Sequence, residues 1–473
     1  MFINSSANES TYFIRRNLEW TLLILSSILL GIWAVKETIA LRNILLVTGS
    51  ILTMCYIVQE FIYGKLKEQL TIWKLTPVTL LVLVFFWVSA HYWLFSIDSM
   101  NQLKEIQSTW LRAFLASMVG LGTGLAIRNH PNRFIVLWLG VLISFFVLFY
   151  QYIPRALATH KLLVPDYDQY LFHLKINTVL MGAILMAGIS GALLDYLRKI
   201  DKPLGFRALA LYVFWGILST IVMWSFVYIV DSKNGVVSGI IIYICFWIAS
   251  LVLIIRIWLH SIKKPKNLVA FLCISVTSLI ILFSILSNHI KINASWRVII
   301  KDAIVAVQID RYPHWSSINT MGYPKDNTGR QVTSNHYERL AWATAGLRGI
   351  VQNPFGIGVL SKQSIKDSNI LDTRFGNNSI YKISTHSGWI ELGLAFGIPI
   401  LLLIFISLGI ILIINFKHSY PGRLTTFLLA LIILQLYATG EVANSHGLEI
   451  LFFILAFLCG LLLVNPNDPL PKK

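Results

Sequence analysis

The chain has 473 residues, of which 56% are apolar and only 13% are charged, and its formal net charge at pH 7 is +17. Soluble domains carry about 25% charged residues, so the composition excludes an ordinary water-soluble protein. A large positive charge would suit nucleic-acid binding, but the basic residues lie mostly in short loops between apolar segments, so no nucleic-acid partner is expected.

Twelve segments are predicted to be transmembrane helices, because a span needs about 20 mostly apolar residues. In chain order they are residues 19–35, 43–59, 77–96, 109–127, 134–153, 174–197, 208–230, 236–257, 268–288, 391–416, 424–440 and 447–464. No small-residue cleavage site follows the first segment, which predicts a retained signal anchor. The predicted fold is an all-α integral membrane protein with about 12 transmembrane helices.

This pattern divides the chain into three parts. Residues 1–288 hold spans 1–9, residues 289–385 form a large polar loop, and residues 386–473 hold spans 10–12 and a C-terminal tail. With the N-terminus in the cytoplasm, the inner loops and termini contain 19 Lys and Arg residues and the short outer loops contain 8. Positive charge concentrates on the cytoplasmic side, so both termini are expected inside and the polar loop outside.

The polar loop is itself basic, with 12 Lys and Arg residues against 6 Asp and Glu residues. Positive charge on the outer side opposes the topological bias, so another cause is needed. A polyanionic substrate is one explanation, and ordinary charge scatter on a solvated loop is the other.

Within this loop, residues 338–352 are predicted to form an amphipathic helix over the membrane body. Asn335 followed by Glu338 is a capping-box pattern, and apolar residues then recur at helical spacing as far as Val351. Arg339 falls in the first turn, where a positive charge opposes the helix dipole. It therefore calls for a carboxylate partner such as Glu338, or for a ligand.

Residues 294–310 are predicted to form an earlier helix of the loop, and residues 311–315 an aromatic, basic turn. Such a turn suits stacking on sugar rings, and it suits packing at the membrane interface equally well. Both interpretations stay open.

His386 stands where the polar loop ends, directly before span 10. Its ordinary pKa near 6.5 suits a general base that takes a proton from a hydroxyl, although a structural, hydrogen-bonded histidine fits the same position. Glu391 follows near the membrane boundary, where ionisable groups are costly and usually functional or paired. Gly393 and Gly397 would let another helix approach closely.

Several short motifs of this chain occur in a characteristic order. They are Asp231-Ser232-Lys233-Asn234-Gly235, Glu338-Arg339-Leu340-Ala341-Trp342, Asn353-Pro354-Phe355-Gly356-Ile357-Gly358, and Thr385-His386-Ser387 followed by Glu391, Gly393 and Gly397. In order and placement they resemble the O-antigen ligase / O-antigen polymerase superfamily of bacterial inner-membrane glycosyltransferases. The resemblance implies about twelve spans, cytoplasmic termini and one large, partly helical periplasmic loop between spans 9 and 10.

The resemblance also implies the substrates. The donor would be a glycan on undecaprenyl pyrophosphate, and the acceptor a sugar hydroxyl of lipid A-core or another glycan, with membrane lipids as surroundings. Transfer would be inverting and metal-independent, without a cofactor. A repeat-unit polymerase or a protein O-oligosaccharyltransferase of the same superfamily is the alternative.

Site roles follow from the same resemblance. His386 would activate the acceptor hydroxyl, and Arg339 would bind the donor pyrophosphate. Lys233 stands where the family has a second arginine, and lysine lacks the bidentate fork that matches phosphate. Arg112 and Arg311 are therefore candidates to compensate. Supporting roles are expected for three further residues, Glu391, Ser387 and Trp342.

Three other interpretations compete with this one. A metal-dependent enzyme would need an acidic cluster, and Asp166 with Asp168 is the nearest approach among the outer segments. A lipid or polysaccharide transporter or flippase would show mid-span charge pairs or two related halves, and the sequence shows neither. A passive scaffold would explain neither His386 nor the basic loop.

Overall fold

A computed structural model gives the architecture of the chain. It describes residues 3–63, 66–128, 130, 133–163, 173–199, 205–260, 265–366, 368–376, 379–417, 422–443 and 446–463. Asp166 and Asp168 lie outside these ranges. Across the described ranges the chain is helical, and β-structure is limited to two isolated bridges.

Fourteen helices of eight residues or more build the described fold. They are α1 (Ile3–Ile32), α2 (Ile39–Ile62), α3 (Ile72–Leu94), α4 (Ser99–Ile127), α5 (Phe134–Thr159), α6 (Lys175–Arg198), α7 (Phe206–Ile229), α8 (Lys233–His260), α9 (Pro265–Ile292), α10 (Ile299–Ala306), α11 (Ser334–Gln352), α12 (Gly388–Lys417), α13 (Arg423–Thr439) and α14 (Gly447–Leu462). Shorter helical turns are Leu66–Gln69, Ala294–Val298, Pro313–Ser316, Ile318–Met321, Lys362–Lys366, Asn369–Phe375 and Ile380–Lys382.

Each of the twelve predicted spans overlaps one long helix. Within the described ranges, nine helices are long and apolar enough to cross a membrane, namely α2 to α9 and α12. Helices α13 and α14 are apolar but shorter, with 17 and 16 residues. The all-helical, multi-pass fold is confirmed, and the count of twelve spans stays a prediction.

The membrane body is held together by close helix packing, most tightly between α4 and α14. A Cβ atom on Gly120 would lie 2.1 Å from the carbonyl oxygen of Phe453, and one on Gly460 would lie 2.5 Å from that of Leu121. Small residues at such contacts let two backbones approach, which replaces the hydrophobic driving force that lipid does not supply. This packing fixes the N-terminal end of α14 beside α4.

The polar loop has a small hydrophobic core of its own. Tyr337, Ala341 and Ile350 of α11 are buried against Val305 of α10 and against the first turns of α12. The predicted amphipathic helix therefore exists, and it lies on α12.

The bounds of the loop helices differ from the prediction. Helix α11 begins at Ser334, four residues early, so Asn335 lies inside the helix and the capping box is not formed. The Glu338 carboxylate instead accepts a hydrogen bond from the Tyr323 hydroxyl at 2.5 Å. The segment 294–310 is a 3₁₀ turn followed by α10, which ends at Ala306. Both differences arise from tertiary contacts that override local preference.

Helix α12 is kinked at Gly397, whose φ of 75° is accessible to glycine at little cost. The Pro354 carbonyl accepts a hydrogen bond from the Ile398 amide at 2.7 Å, so a turn of the loop enters the kink. A Cβ on Gly393 would meet the Ile350 side chain of α11 at 2.5 Å. Gly393 thus admits another helix, α11, as predicted, whereas Gly397 admits the turn at Pro354 and Phe355.

Candidate active site

His386 lies in a strained turn directly before helix α12. Its φ is 53°, a left-handed conformation that costs a non-glycine residue about 1–2 kcal/mol. The next turn is anchored because the Gly388 amide donates to the Gly440 carbonyl at 2.7 Å. Ser387 is buried, and its hydroxyl makes a 3.5 Å contact with the Tyr437 carbonyl. Such strain persists only where the surroundings impose it, and it is common at functional sites.

The His386 ring is held by two side chains. Its Nδ1 contacts the carboxylate of Glu441, which is 5% exposed, and its face stacks on Trp342 with ring centroids 5.5 Å apart. Trp342 is fixed in turn by a 3.0 Å hydrogen bond from its indole to the Trp315 carbonyl. Because a carboxylate accepts and does not donate, Nδ1 carries the proton and Nε2 is left as a basic lone pair. Nε2 has no hydrogen-bond partner among the described residues.

Glu391 holds the segment that presents Glu441. Its carboxylate accepts hydrogen bonds from the amides of Val442 and Ala443 at 2.8 and 3.1 Å, and from the Ser384 hydroxyl at 3.1 Å. Glu391 is itself buried. It therefore orients residues 441–443 relative to His386 and does not face open solvent.

Arg339 lies close enough to Glu441 for the two charges to interact. Its guanidinium donates to the Thr439 carbonyl at 3.2 Å, and its charge is attracted by those of Glu441 and Glu338. The residue is exposed. Arg339 thus offers hydrogen-bond donors to a ligand while a buried carboxylate keeps it close to His386.

Lys233, the first residue of α8, lies near Arg339 and is oriented by the loop. Its ammonium group contacts Nε2 of His336 at 2.7 Å and the hydroxyl of Ser295, and its charge interacts with that of Arg339. His336 Nδ1 in turn lies 2.9 Å from the carboxylate of Asp302. An ammonium donates and a carboxylate accepts, so His336 is neutral and protonated on Nδ1.

This chain of contacts ends in the loop core. Asp302 is fully buried and also accepts a 2.6 Å hydrogen bond from Arg330. Burial alone would raise the pKa of Asp302, but hydrogen bonds from Arg330, His336 and Thr333 lower it below its usual value. Burial lowers the pKa of His336, which favours the neutral imidazole that Lys233 requires.

The two other candidate cations lie apart from this group. Arg112 donates from Nε to Glu449 at 2.8 Å, and Glu449 also contacts His446 Nδ1 at 3.2 Å. Arg311 is exposed, with its guanidinium 5.4 Å from the Tyr312 ring centroid. The structure therefore brings Lys233 and Arg339 together and gives Arg112 and Arg311 other described partners.

A cavity of about 330 Å³ opens beside the His386 ring. Trp342, Glu391 and Lys382 contribute to its wall together with several aliphatic side chains. Among its described lining residues, neither Arg339 nor Lys233 occurs. The imidazole thus lines a partly apolar cavity, and its partner Glu441 also interacts with the charge of Arg339.

Three residues of this arrangement were missed by the sequence analysis. Glu441 is a lone acidic residue in a short outer loop, and His336 and Asp302 have no motif spacing that connects them. Each acts through a partner at least 34 positions away. The one usable signal was Glu441 itself, since an ionisable group beside a membrane boundary is usually paired.

Among the described residues, no group of three or more His, Cys, Asp or Glu side chains could hold a metal ion. The metal-independence of the reaction therefore stays a prediction, to be tested with a chelator.

One region of the chain matches a known protein family. Residues 218–405 match the family model described as O-Antigen ligase, and this region runs from α7 into α12. It contains Lys233, Arg339 and His386, whereas Glu441 and Arg112 lie outside it. No curated protein matches the chain.

Proposed function

We propose that this chain is an O-antigen ligase-type glycosyltransferase, because residues 218–405 match the O-Antigen ligase family model. It would transfer a glycan from undecaprenyl pyrophosphate to a sugar hydroxyl of lipid A-core at the periplasmic face of the bacterial inner membrane. The observation that supports this most is the His386–Glu441 pair, set beside Arg339 and Lys233.

In this proposal His386 is the general base. Its Nε2 takes the proton of the acceptor hydroxyl as the oxygen attacks the anomeric carbon of the donor sugar. Glu441 holds the ring in the Nδ1–H tautomer and stabilises the imidazolium that forms, as the carboxylate of a catalytic triad does. Trp342 keeps the ring plane fixed through stacking.

Arg339 and Lys233 act on the leaving group. The bond between the anomeric carbon and the carrier oxygen breaks, and undecaprenyl pyrophosphate leaves with the electron pair. Negative charge develops on that oxygen, and fixed positive charge nearby stabilises it. Lys233 supplies a point charge where an arginine would supply a fork, and His336 fixes the position of that charge.

One displacement inverts the anomeric configuration. The proton removed from the acceptor remains on His386 until solvent accepts it, and the products are the glycosylated acceptor and the free carrier. Each proposed step uses side chains of this chain alone. The proposal therefore predicts that transfer needs no metal ion.

A transfer assay tests the proposal. Purified protein is incubated with undecaprenyl-pyrophosphate glycan and, separately, with lipid A-core, carrier-linked repeat units or acceptor peptide, each with and without chelator. We expect product with lipid A-core, undiminished by the chelator. Product with repeat units or peptide alone would replace the ligase assignment by the polymerase or protein transferase, and transfer with none would overturn the glycosyltransferase assignment.

A deletion strain gives an independent readout. Loss of glycan-capped lipopolysaccharide while carrier-bound polymer persists is the expected outcome. Loss of long chains with short capped chains retained would indicate a polymerase instead.

A further inference from the structure

The cavity beside His386 has a charge of its own. Lys366 and Lys382 both contribute to its wall, Lys366 being exposed and Lys382 half-buried. Glu391 also lines the cavity, but its carboxylate oxygens accept hydrogen bonds from two backbone amides and a hydroxyl. Two lysines against one glutamate leave the described wall with a balance of one positive charge.

The size and lining of the cavity suit a small saccharide unit. Its volume of about 330 Å³ is at the lower end of the range for small-molecule pockets, about 300–1,000 Å³. Trp342 offers an aromatic face, and Ile357, Val359 and Leu394 supply apolar wall. A site of this size takes a small unit of a glycan rather than a whole polymer.

The cavity and the Arg339–Lys233 group are separate places. Arg339 faces Glu441 and Thr439, and Lys233 faces His336 and Ser295. A transferase of this kind binds two substrates, and only one of them carries the pyrophosphate. Two cationic groups around one imidazole therefore match two anionic substrates.

We propose that this cavity is the acceptor subsite and that it selects a sugar bearing an anionic group, a phosphate or a carboxylate. Lys366 and Lys382 bind that group while the neighbouring hydroxyl reaches Nε2 of His386. This inference rests on the proposed function, since it names the acceptor class of the same reaction.

Acceptor pairs that differ in one charge test it. Transfer is measured with a phosphorylated acceptor saccharide, with the same saccharide after phosphatase treatment, and with a matched saccharide that carries a carboxylate. We expect wild-type protein to show a KM about ten- to hundredfold lower for an anionic form, the gain expected from charge-assisted hydrogen bonds. The two anionic forms distinguish phosphate from carboxylate.

Variants of the two lysines test whether they cause the preference for an anionic acceptor. Lys366→Gln combined with Lys382→Gln should raise KM for the anionic acceptor about ten- to hundredfold, close to the value for the neutral one. KM for the donor and kcat should stay within twofold. Arginine at both positions should keep the preference, which separates loss of charge from loss of fold. Lys301→Gln, an exposed lysine of α10 outside the described lining of the cavity, is the matched control.

Each result is decisive. Equal use of neutral and anionic acceptors by wild-type protein overturns the inference and leaves the transferase assignment intact. A raised donor KM in the lysine variants also overturns it, because the cavity would then hold the pyrophosphate. Absence of transfer to every acceptor defeats the proposed function itself.

Discussion

Two histidine–glutamate pairs lie at the starts of helices α12 and α14, and they are built alike. His386 precedes α12 and His446 precedes α14, with φ values of 53° and 65°. Each contacts a buried glutamate through Nδ1, Glu441 in the first pair and Glu449 in the second. Backbone conformation and a carboxylate partner alone do not distinguish the two histidines.

The surroundings of the two pairs differ. The Glu449 carboxylate accepts hydrogen bonds from Arg112 at 2.8 Å and from the Trp33 indole at 3.1 Å. Both contacts are shorter than its 3.2 Å contact with His446. His386 stacks on an aromatic ring and lines the cavity, whereas His446 is not among the described residues of that wall. Under the proposed function, a carboxylate partner on Nδ1 is not enough to make a histidine a general base. The Nε2 atom of that histidine must also face a substrate site.

The largest expected effect separates the two histidines directly. His386→Ala should lower kcat by on the order of 10³-fold, within the range for loss of a general base. His446→Ala should retain activity within a few-fold, because that imidazole supports Glu449. Both variants are assayed for transfer in one set of membranes with expression levels matched. Equal losses of transfer activity in the two variants would contradict the assignment of the general base to His386 alone.

The two glutamates give the next contrast. Glu441→Gln should lower kcat by about 10²-fold, because the amide no longer fixes the tautomer of His386 or stabilises its charged form. Glu449→Gln should instead lower thermal stability, since Arg112 is then left without its ionised partner. Activity and melting temperature are measured for both variants. A Glu441 variant that is unstable but fully active per folded molecule would argue for a structural role.

Arg339 and Arg112 are expected to differ in their contribution to donor binding. Arg339→Gln should lower kcat/KM for the lipid-linked donor by about ten- to hundredfold, because a charge-assisted contact to pyrophosphate is lost. Arg112→Gln should leave donor KM near the wild-type value. Titration of donor at saturating acceptor measures this, and a larger donor defect in the Arg112 variant would reverse the assignment of the two clusters.

A third histidine–carboxylate pair is formed by His336 and Asp302, and replacing His336 is expected to have the smallest effect on transfer. Burial lowers the pKa of His336, so the folded protein favours the neutral ring facing Lys233, Asp302 and Arg339. Its contribution to stability is present above the ordinary histidine pKa, about 6.5, and is lost as pH falls from there through the lowered value.

Thermal melting between pH 8 and pH 5 tests whether stability falls with pH as expected. Wild-type protein should lose stability below about pH 6.5, and His336→Gln should lose less of it over the same interval. The donor KM of the variant should rise only a few-fold. An identical pH dependence in both proteins would show that another group titrates there.

The long-range fold was accessible from the sequence because lipid imposes a length and an apolar composition on each span. For the same reason each predicted segment overlaps a helix. The loop was less accessible. Glu338 has a local capping pattern, yet its side chain bonds Tyr323, and the Gly397 kink depends on a turn about 40 residues earlier in the chain.

The candidate site shows the same limit. His386, Arg339 and Lys233 could be found from motifs, and the family region contains all three. Glu441 could not, because its role depends on a contact with a residue 55 positions away in a different part of the chain. Arg112 was considered as a second phosphate ligand because sequence gives its charge and its side of the membrane but not its partner Glu449.

The central claim is that Glu441 acts through His386. A double-mutant cycle measures it: single-turnover transfer rates of wild type, Glu441→Gln, His386→Ala and the double variant, with saturating donor and acceptor. If the two residues form one unit, the double variant is as slow as His386→Ala alone, since effects within such a unit are not additive. Losses that multiply, with the double variant about 10²-fold slower than His386→Ala, would contradict the account.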